Sequence, residues 1–384
     1  MTARIPFHRP SIGEDECRAV ERVLRSGWLT SGEEGRRFEA ELAAATGAPE
    51  AVAVASGTAA LILGLAAFDI GPGDEVITSP LGFAASVEAI LARGAHPVLA
   101  DVAPRSGNLC PRATERAIGP ATRAILAVSL GGDPAELDAL RELARARGLL
   151  FFVDAAHALE TRTAAGPLGA DADFCALSFY ASKNLTTGEG GAVLLRDGER
   201  AARLRRLRVH GMTRAARDRE GTARPWEYDV AEAGYKANLS DLAAALGRAQ
   251  LAHLETRWEA RRRLVARYRA ALEDCEALLL PSAPDAGRHA WHLFAPLLAD
   301  ERLVARRDAF LERLGAAGIG VSVHFRPLHH HTAFRALAPR EGALGAAEDR
   351  ARRSFSLPLF PDLRSEELDR VVEAVRDALR EIGA

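Results

Sequence analysis

DADFCALSFYASKNLTTGEGGAV, residues 171–193, surrounds the side chain on which the interpretation of the whole chain depends, Lys183. Of the 50 lysine and arginine residues in the sequence, only Lys183 and Lys236 are lysines. An arginine stays protonated in proteins, whereas a buried lysine can lose its proton and form a Schiff base. The simpler alternative to a chemical role is that two lysines occur by chance in an arginine-rich chain. The residues around Lys183 favour a chemical role.

Short apolar runs that predict strands alternate with longer runs that predict helices over roughly the first 240 residues. This alternation is typical of a mostly parallel sheet with helices on both faces, so the expected fold class is α/β. A chain of 384 residues is long for one core,. We expect a large domain, residues 1–254, and a small α+β domain, residues 255–384. The boundary falls inside one helix expected from Asp241 to Asp274, and a long polar loop is expected at residues 212–235.

Polar residues follow several of the predicted strands, at the end where such sheets bind their ligands. Asp154 comes directly after the predicted strand 149–153, and His157 follows three residues later. Residues 56–59 (SGTA) lie between a predicted strand and a predicted helix, where free N–H groups and the helix dipole bind phosphate. The signal is weak by itself because Ser and Thr also cap ordinary helices. It is not a P-loop, because no GK[ST] follows.

These residues together provide the groups that pyridoxal phosphate (PLP) requires of a protein. Lys183 offers an amine for a Schiff base, and Asp154 offers a carboxylate for the pyridine nitrogen. The Ser-Gly-Thr segment offers an anion site for the phosphate. Each residue alone is a weak indication, but in this order on alternating strands and helices they predict a PLP site.

The chain resembles the DegT-type sugar aminotransferases, of the aspartate-aminotransferase fold (fold type I), over essentially its whole length. The resemblance is carried by SGTAAL at Ser56, GPGDEVI at Gly71, DAAH at Asp154, SFYASKNLTTGEGG at Ser178, GYKANLSD at Gly234 and HFRPLH at His324. It implies a large domain with a mostly parallel, seven-stranded sheet between helices, and a small α+β domain. Within the family, DAAH, GYKANLSD, HAWHLF, GIGVSVHFR and SLPLFPD are most similar to enzymes that aminate a UDP-4-keto-pentose.

The resemblance implies a role for each residue of the expected cofactor site. Lys183 matches the lysine that carries PLP as a Schiff base, Asp154 the carboxylate on the ring nitrogen, and His157 a residue beside the ring. The remaining expected cofactor contacts are Gly57, Thr58, Ala59 and Ser178 at the phosphate, and Phe83 stacked on the ring. Asn238 matches a residue that reaches the phosphate bound by a neighbouring subunit. The resemblance thus implies a homodimer with shared active sites.

The implied substrates are L-glutamate, which leaves as 2-oxoglutarate, and a nucleotide-linked keto sugar. The residues expected to contact substrate are Trp28, Lys236, His324, Arg326 and His329. An alternative acceptor is a 4-keto-6-deoxyhexose on UDP, dTDP or GDP, or a 3-keto sugar, in polysaccharide or antibiotic-sugar synthesis. Sugar dehydratases of the family replace the lysine by His, so Lys183 argues against them.

Two hypotheses from other functional classes are disfavoured. A non-catalytic, PLP-binding regulator is expected to have lost the lysine or the aspartate, and both are present. A nicotinamide oxidoreductase is expected to carry GxGxxG after its first strand, and this chain does not,.

Composition argues against several partners and locations. A net charge of -2 and a pI near 6.6 predict no nucleic-acid partner,. No apolar run approaches the roughly 18 residues that a membrane-spanning helix needs, so no membrane association is expected. The four cysteines are widely separated, which favours reduced thiols in a cytoplasmic protein,.

The stretch 324–331 (HFRPLHHH) is rich in histidine, but no Cys or carboxylate ligand pattern accompanies it,. We therefore expect no metal site. His330 and His331 are expected to be structural.

Overall fold

The computed structural model describes residues 4–214, 224, 226–339 and 342–383. The helices are α1 (Glu14–Ser26), α2 (Glu33–Thr46), α3 (Gly57–Ala67), α4 (Ala85–Ala92), α5 (Pro111–Ala117), α6 (Leu137–Ala146), α7 (Leu168–Asp171), α8 (Gly198–Leu207), α9 (Asp241–Ala252), α10 (Leu254–Leu272), α11 (Glu301–Val304), α12 (Arg307–Ala316), α13 (Gly345–Arg353) and α14 (Ser365–Glu381). The strands are β1 (Glu50–Val54), β2 (Glu75–Thr78), β3 (His96–Leu99), β4 (Thr122–Val128), β5 (Leu150–Asp154), β6 (Arg162–Thr163), β7 (Gly166–Pro167), β8 (Phe174–Ser178), β9 (Gly191–Leu195), β10 (Leu278–Leu279) and β11 (Leu297–Leu298). Residues 215–223 and 225 of the loop expected at 212–235 lie outside the described residues.

Seven of the strands form one sheet, in the order β1-β9-β8-β5-β4-β2-β3. Strand β9 runs antiparallel to its neighbours β1 and β8, and the other neighbouring strands pair in parallel. The predicted α/β class with a mostly parallel, seven-stranded sheet is confirmed. The parallel pairs bring the carboxyl ends of β4, β5 and β8 to the same edge of the sheet.

The sheet is buried on both faces. Successive side chains of a strand point in opposite directions, so each central strand contributes to two cores,. In β5, Phe151 and Val153 belong to one core, whereas Phe152 belongs to the other. Helices α2, α6 and α9 contribute to the first core, and α3, α4 and α8 to the second. Burial on both sides explains why these strands are continuous apolar runs in the sequence.

A third hydrophobic core lies in the C-terminal part of the chain and includes residues of α10, α12 and α14. The rings of Tyr268 and Phe294 stack there with their centroids 4.8 Å apart. The Tyr268 hydroxyl donates to the carbonyl of Pro358 at 3.0 Å. Ile5 belongs to the same core, so the N-terminal segment packs on the C-terminal part of the chain. The domain division at residue 254 remains a prediction.

The single helix expected from Asp241 to Asp274 is wrong, because two helices, α9 and α10, meet at His253. At the junction, the carbonyl of Gln250 accepts from the His253 N–H at 3.2 Å and from Arg257 Nη1 at 3.3 Å. The hydrogen bond at His253 thus spans three residues, as in a 3-10 helix, and not four as in an α-helix,.

Two expectations about the surroundings of the protein can be compared with the structure. All four cysteines are free, and Cys175 is buried within the sheet. Within the described ranges, no helix combines the length and the apolar character that crossing a membrane requires. The cytoplasmic location remains a prediction.

The contact between α3 and β8 generates a stability prediction at Gly64. A Cβ added there would lie 2.8 Å from ring atoms of Phe174, which is fully buried. We expect Gly64→Ala to reduce the free energy of unfolding by about 1–3 kcal/mol, because the packed ring has no room to move. Gly315 in α12 is the matched control, because nothing lies within 4 Å of its added Cβ. Gly315→Ala should stabilise by up to about 1 kcal/mol through helix propensity. Urea denaturation measures both effects, and equal effects would contradict the packing argument.

Candidate active site

A cavity of about 540 Å³ lies at the carboxyl ends of β4, β5 and β8. Its volume is in the range of small-molecule pockets, about 300–1,000 Å³. Eight of the predicted site residues line it: Gly57, Thr58, Phe83, Asp154, His157, Ser178, Lys183 and His324. The structure therefore brings most of the predicted cofactor site together in one place.

Lys183 lies in the loop after β8, in a turn closed by its own N–H, which donates to the Tyr180 carbonyl at 2.8 Å. Burial lowers the pKa of its ammonium from 10.5 to about 8, and the negative charge of Asp154 opposes that shift. A lysine with this pKa has a substantial neutral fraction near physiological pH. Its Nζ can then act as a nucleophile and as a base.

Asp154 ends β5 with its side chain 6% exposed. Its Oδ2 accepts from the Ser86 hydroxyl at 2.6 Å, and its Oδ1 accepts from the Ala156 N–H at 3.1 Å. Burial raises the pKa of the carboxyl, while these hydrogen bonds and Lys183 lower it. Sequence reasoning missed Ser86, because a serine in a predicted apolar helix carries no distinguishing pattern.

The predicted phosphate site lies at the first turn of α3. Ser56 caps this helix, and its hydroxyl accepts from the Ala59 N–H at 3.0 Å. A Cβ on Gly57 would lie 2.8 Å from Cβ of Ser178, so a glycine is needed for this close approach,. Gly57 and Thr58 line the cavity, whereas the Ala59 N–H already has a partner and Ala59 is not among the lining residues.

Four histidines surround Lys183, and two of them, His8 and His292, were not predicted for the site. Burial lowers the pKa of His8 and of His324 to about 4 in each case, with Lys183 adding to the effect. Burial also lowers the pKa of His157 and of His292 well below the usual value, and Lys183 contributes again. The imidazoles are therefore neutral near pH 7 and add no positive charge around the lysine.

The tautomer of His157 follows from its hydrogen bond. Its Nδ1 accepts from the Gly131 N–H at 3.2 Å, so the neutral ring carries its proton on Nε2,. Its ring also lies 4.3 Å from the ring of His292, measured between centroids. His157 can thus present a fixed N–H donor at the predicted cofactor site. The motif HAWHLF contained His292, but its role was visible only once the fold placed it beside His157.

A buried polar network supports the residue that follows Lys183. The side-chain amide of Asn184 donates to Glu160 at 2.9 Å and to the Ala290 carbonyl at 3.0 Å. Its oxygen lies 3.0 Å from Nδ1 of His292. Glu160 forms an ion pair with Arg261 of α10, and their side chains are 1% and 2% exposed. Removing one member of a buried pair costs about 3–5 kcal/mol, so this network holds the lysine loop firmly on α10.

Three of the predicted residues lie together outside the cavity. Asn238 donates to the hydroxyls of Thr30 and Ser31, at 3.1 Å each. Its oxygen accepts from the ammonium of Lys236. Trp28 packs against Gly32, where an added Cβ would lie 2.4 Å from the indole ring. Asn238 lines a different cavity, of about 600 Å³, with several arginines.

Arg326 and His329 also lie outside the Lys183 cavity. The exposed guanidinium of Arg326 donates to the carbonyl of His330 at 2.8 Å. His329 is buried, and its Nε2 lies 3.2 Å from Oε1 of Glu348. Their substrate contacts remain predictions.

The whole chain can be compared with known proteins. The model of the DegT/DnrJ/EryC1/StrS aminotransferase family matches residues 10–376. The chain belongs to this family. SpsC, a spore coat polysaccharide biosynthesis protein of Bacillus subtilis strain 168, is 41% identical over 379 residues, which are 98% of this chain and 97% of SpsC. The predicted family is therefore confirmed, and the protein is an aminotransferase.

Solved structures agree with this assignment. TlmJ, an aminotransferase from Streptoalloteichus hindustanus, is 33% identical, with a TM-score of 0.91, over 99% of this chain and 100% of that chain. A sugar aminotransferase from Streptococcus pneumoniae in its PLP form is 30% identical, with a TM-score of 0.92, over 99% of this chain and 100% of that chain. Enzymes of this family use PLP, as predicted for the cofactor.

The cavity of this aminotransferase fits PLP chemically. The amine of Lys183 has a lowered pKa, and the buried carboxylate of Asp154 suits a protonated ring nitrogen,. The N-terminus of α3 suits a phosphate, and the absence of a Cβ at Gly57 lets Ser178 lie close to this first turn,.

The lowered pKa of Lys183 generates a pH prediction for the cofactor-free protein. We expect the Lys183 amine to react with an amine reagent at a rate that rises with pH and is half-maximal near pH 8, because only the neutral amine reacts,. Asp154→Asn removes a charge that favours the ammonium form, so the midpoint should move to lower pH. Peptide mass spectrometry measures the reaction site by site, since the chain has only two lysines. An unchanged or higher midpoint in the variant would contradict the coupling.

The neutral histidines generate a prediction about acid stability. Because the folded-state pKa values of His8 and His324 are about 4, the unfolded chain binds more protons than the folded chain as the pH falls below 6.5,. The free energy of unfolding should therefore fall between about pH 6.5 and pH 4. His324→Gln should make this fall less steep, while His96→Gln, at an exposed position outside the cavity, should not. Chemical denaturation at a series of pH values tests this, and equal slopes in all three proteins would refute it.

Proposed function

We propose that this aminotransferase moves the amino group of L-glutamate to the C4 keto carbon of a nucleotide-linked sugar, with a UDP-4-keto-pentose as the first candidate. The observation that carries the proposal is the convergence of Lys183, Asp154 and the N-terminus of α3 in one cavity. The polysaccharide relative SpsC and the sugar aminotransferase from S. pneumoniae support a sugar as the acceptor. The pentose and the nucleotide are supported by the sequence motifs alone.

Lys183 is the residue proposed to hold the cofactor and to move the proton. When bound, PLP supplies a conjugated ring that withdraws electrons from the carbon bearing the amino group. The neutral Nζ of Lys183 would accept the proton that leaves the α-carbon of glutamate, and in the second half of the reaction it would supply a proton to the sugar carbon that receives the amino group. A pKa near 8 leaves this Nζ able to do both near neutral pH,. An arginine could do neither.

The other residues are proposed to bind and orient. Asp154 supplies a buried negative charge opposite the ring nitrogen, and Ser86 keeps that carboxylate in place. His157 supplies an N–H donor at the ring, because its Nδ1 is occupied by Gly131. The N–H groups at the first turn of α3, with Ser178 beside Gly57, hold the phosphate. Phe83, 67% exposed, covers the ring from the cavity mouth.

We further propose a homodimer in which Asn238 completes the phosphate site of the other subunit. The support is its position within one protomer: Asn238 lines a cavity separate from that of Lys183, beside the Trp28–Gly32 loop and Lys236. Trp28 and Lys236 would then contact substrate across the dimer. His324 would contact it from within the protomer, and Arg326 and His329 are proposed to act near the nucleotide.

The absorption spectrum of the purified protein tests the proposed function. We expect a yellow cofactor band that bleaches with glutamate and returns with one member of a panel of nucleotide-linked keto sugars. Return with a 4-keto-6-deoxyhexose or a 3-keto sugar would establish the alternative acceptor. A protein that stays colourless after addition of PLP would contradict the proposal.

A pair of conservative lysine variants sharpens this test. Lys183→Arg keeps the positive charge, but borohydride reduction should leave no cofactor on the chain, and the rate should fall by about 10²–10⁴-fold or more. Lys236→Arg is the matched control and should retain covalently reduced cofactor. Mass spectrometry of the reduced proteins identifies the lysine that carries the cofactor. Labelling of Lys236 in place of Lys183 would refute the assignment.

A further inference from the structure

Three potential metal ligands that are separated in the sequence lie together in the C-terminal part of the fold. His329 and His330 belong to a 3-10 turn, Leu328–His330, and Glu348 lies in α13. One ligand atom from each lies within 4.8 Å of the other two. No sequence pattern placed a carboxylate beside the histidine-rich stretch 324–331. The fold brings Glu348 there.

Two of the separations between these ligand atoms are close to those around a shared metal ion. Nε2 of His329 lies 3.2 Å from Oε1 of Glu348, and Nε2 of His330 lies 3.7 Å from the same oxygen. Bonds of about 2.0–2.2 Å to a tetrahedral zinc ion separate its ligands by roughly 3.3–3.5 Å. The distance of 3.7 Å is too long for a hydrogen bond, so the His330 ring is not hydrogen-bonded to Glu348 and packs instead on the ring of His329, with the centroids 4.4 Å apart,.

Glu348 pairs with histidines and not with arginine. Its neighbour Asp349 forms ion pairs with Arg352 and Arg353. In the part of the chain that the structure describes, the ion-pair partners of Glu348 are His329 and His330 alone. The carboxylate is therefore free of a permanent cation that a metal ion would have to displace.

The backbone holds the three ligands in place from both sides. The N–H of Leu328 donates to the Pro80 carbonyl at 2.9 Å, which fixes the 3-10 turn. The carboxylate of Asp101 accepts from the N–H groups of Ala346 and Ala347, at 3.1 and 2.9 Å, which fixes the start of α13. His329 is buried, whereas the side chains of His330 and Glu348 are 46% and 47% exposed. The two exposed side chains can rotate to close the site, and solvent can reach an open fourth position.

We propose that His329, His330 and Glu348 bind one divalent transition-metal ion of the zinc class. Two imidazoles and one carboxylate favour Zn²⁺, Co²⁺, Ni²⁺ or Cu²⁺ over Mg²⁺ and Ca²⁺, which prefer oxygen ligands. The ion joins the 3-10 turn to α13. The same segment of chain begins at His324 and Phe325, which line the active-site cavity, so metal binding stabilises one wall of that cavity.

Zinc titration of the intact enzyme tests the site. The tag-free, PLP-loaded protein is treated with a chelator, dialysed and titrated with ZnCl₂ in a calorimeter. We expect saturable binding of one Zn²⁺ per chain, weakening as the pH is lowered because imidazole must be neutral to bind. Zn²⁺ should also raise the melting temperature by about 2 °C or more.

Matched variants separate this site from other zinc ligands, such as the exposed Cys17 or the cofactor itself. Glu348→Gln and His330→Asn should each weaken binding at least about tenfold and remove the thermal shift. His96→Asn, at an exposed histidine far from the cluster in sequence, should bind as the unmodified protein does. The proposal is overturned if no saturable binding occurs, or if both cluster variants bind zinc with unchanged affinity. Neither outcome depends on the aminotransferase reaction, because the readouts are binding and melting.

Discussion

The balance between burial of the Lys183 ammonium and its attraction to Asp154 is the interaction on which the site depends. Burial alone would lower the pKa of the lysine further, and the carboxylate holds it near 8. Burial is also the main cause of the lowered pKa of His157 and of His292, and the positive charge of Lys183 adds to it,. Around Lys183 the cavity therefore has one buried anion, Asp154, and several neutral histidines, while the exposed Glu189 also lines it. This is a suitable environment for proton transfer at a single amine.

The sheet and the surrounding contacts fix the positions of Asp154 and of the Lys183 loop. Asp154 is held by Ser86 and by the backbone at the end of β5. The loop that carries Lys183 is tied through Asn184 and Glu160 to Arg261 of α10. A fully buried ion pair contributes little net stability, because desolvation offsets most of the attraction. We interpret it as a device that specifies how α10 meets the active-site loop.

The residues predicted to contact substrate lie in separate regions of the chain's surface. His324 lies in the cavity, whereas Asn238 lines a second cavity that several arginines also line, and Lys236 contacts Asn238. The proposed homodimer would bring these two groups of residues into one site. The histidine cluster with Glu348 adds a distinct feature to the chain segment that continues from the cavity wall.

From the sequence by itself, the fold class, the PLP cofactor and a set of site residues could be predicted. The alternation of apolar strand runs with helices, the scarcity of lysine and the order of Ser56, Asp154 and Lys183 are all visible in the sequence. The tertiary structure alone decided the contacts between distant segments: Ser86 on Asp154, His292 beside His157, and Glu348 beside His329. The break at His253, where the Gln250 carbonyl accepts from the side chain of Arg257, was also visible only in the structure. Such contacts depend on how helices and strands pack, which periodicity and residue type do not encode.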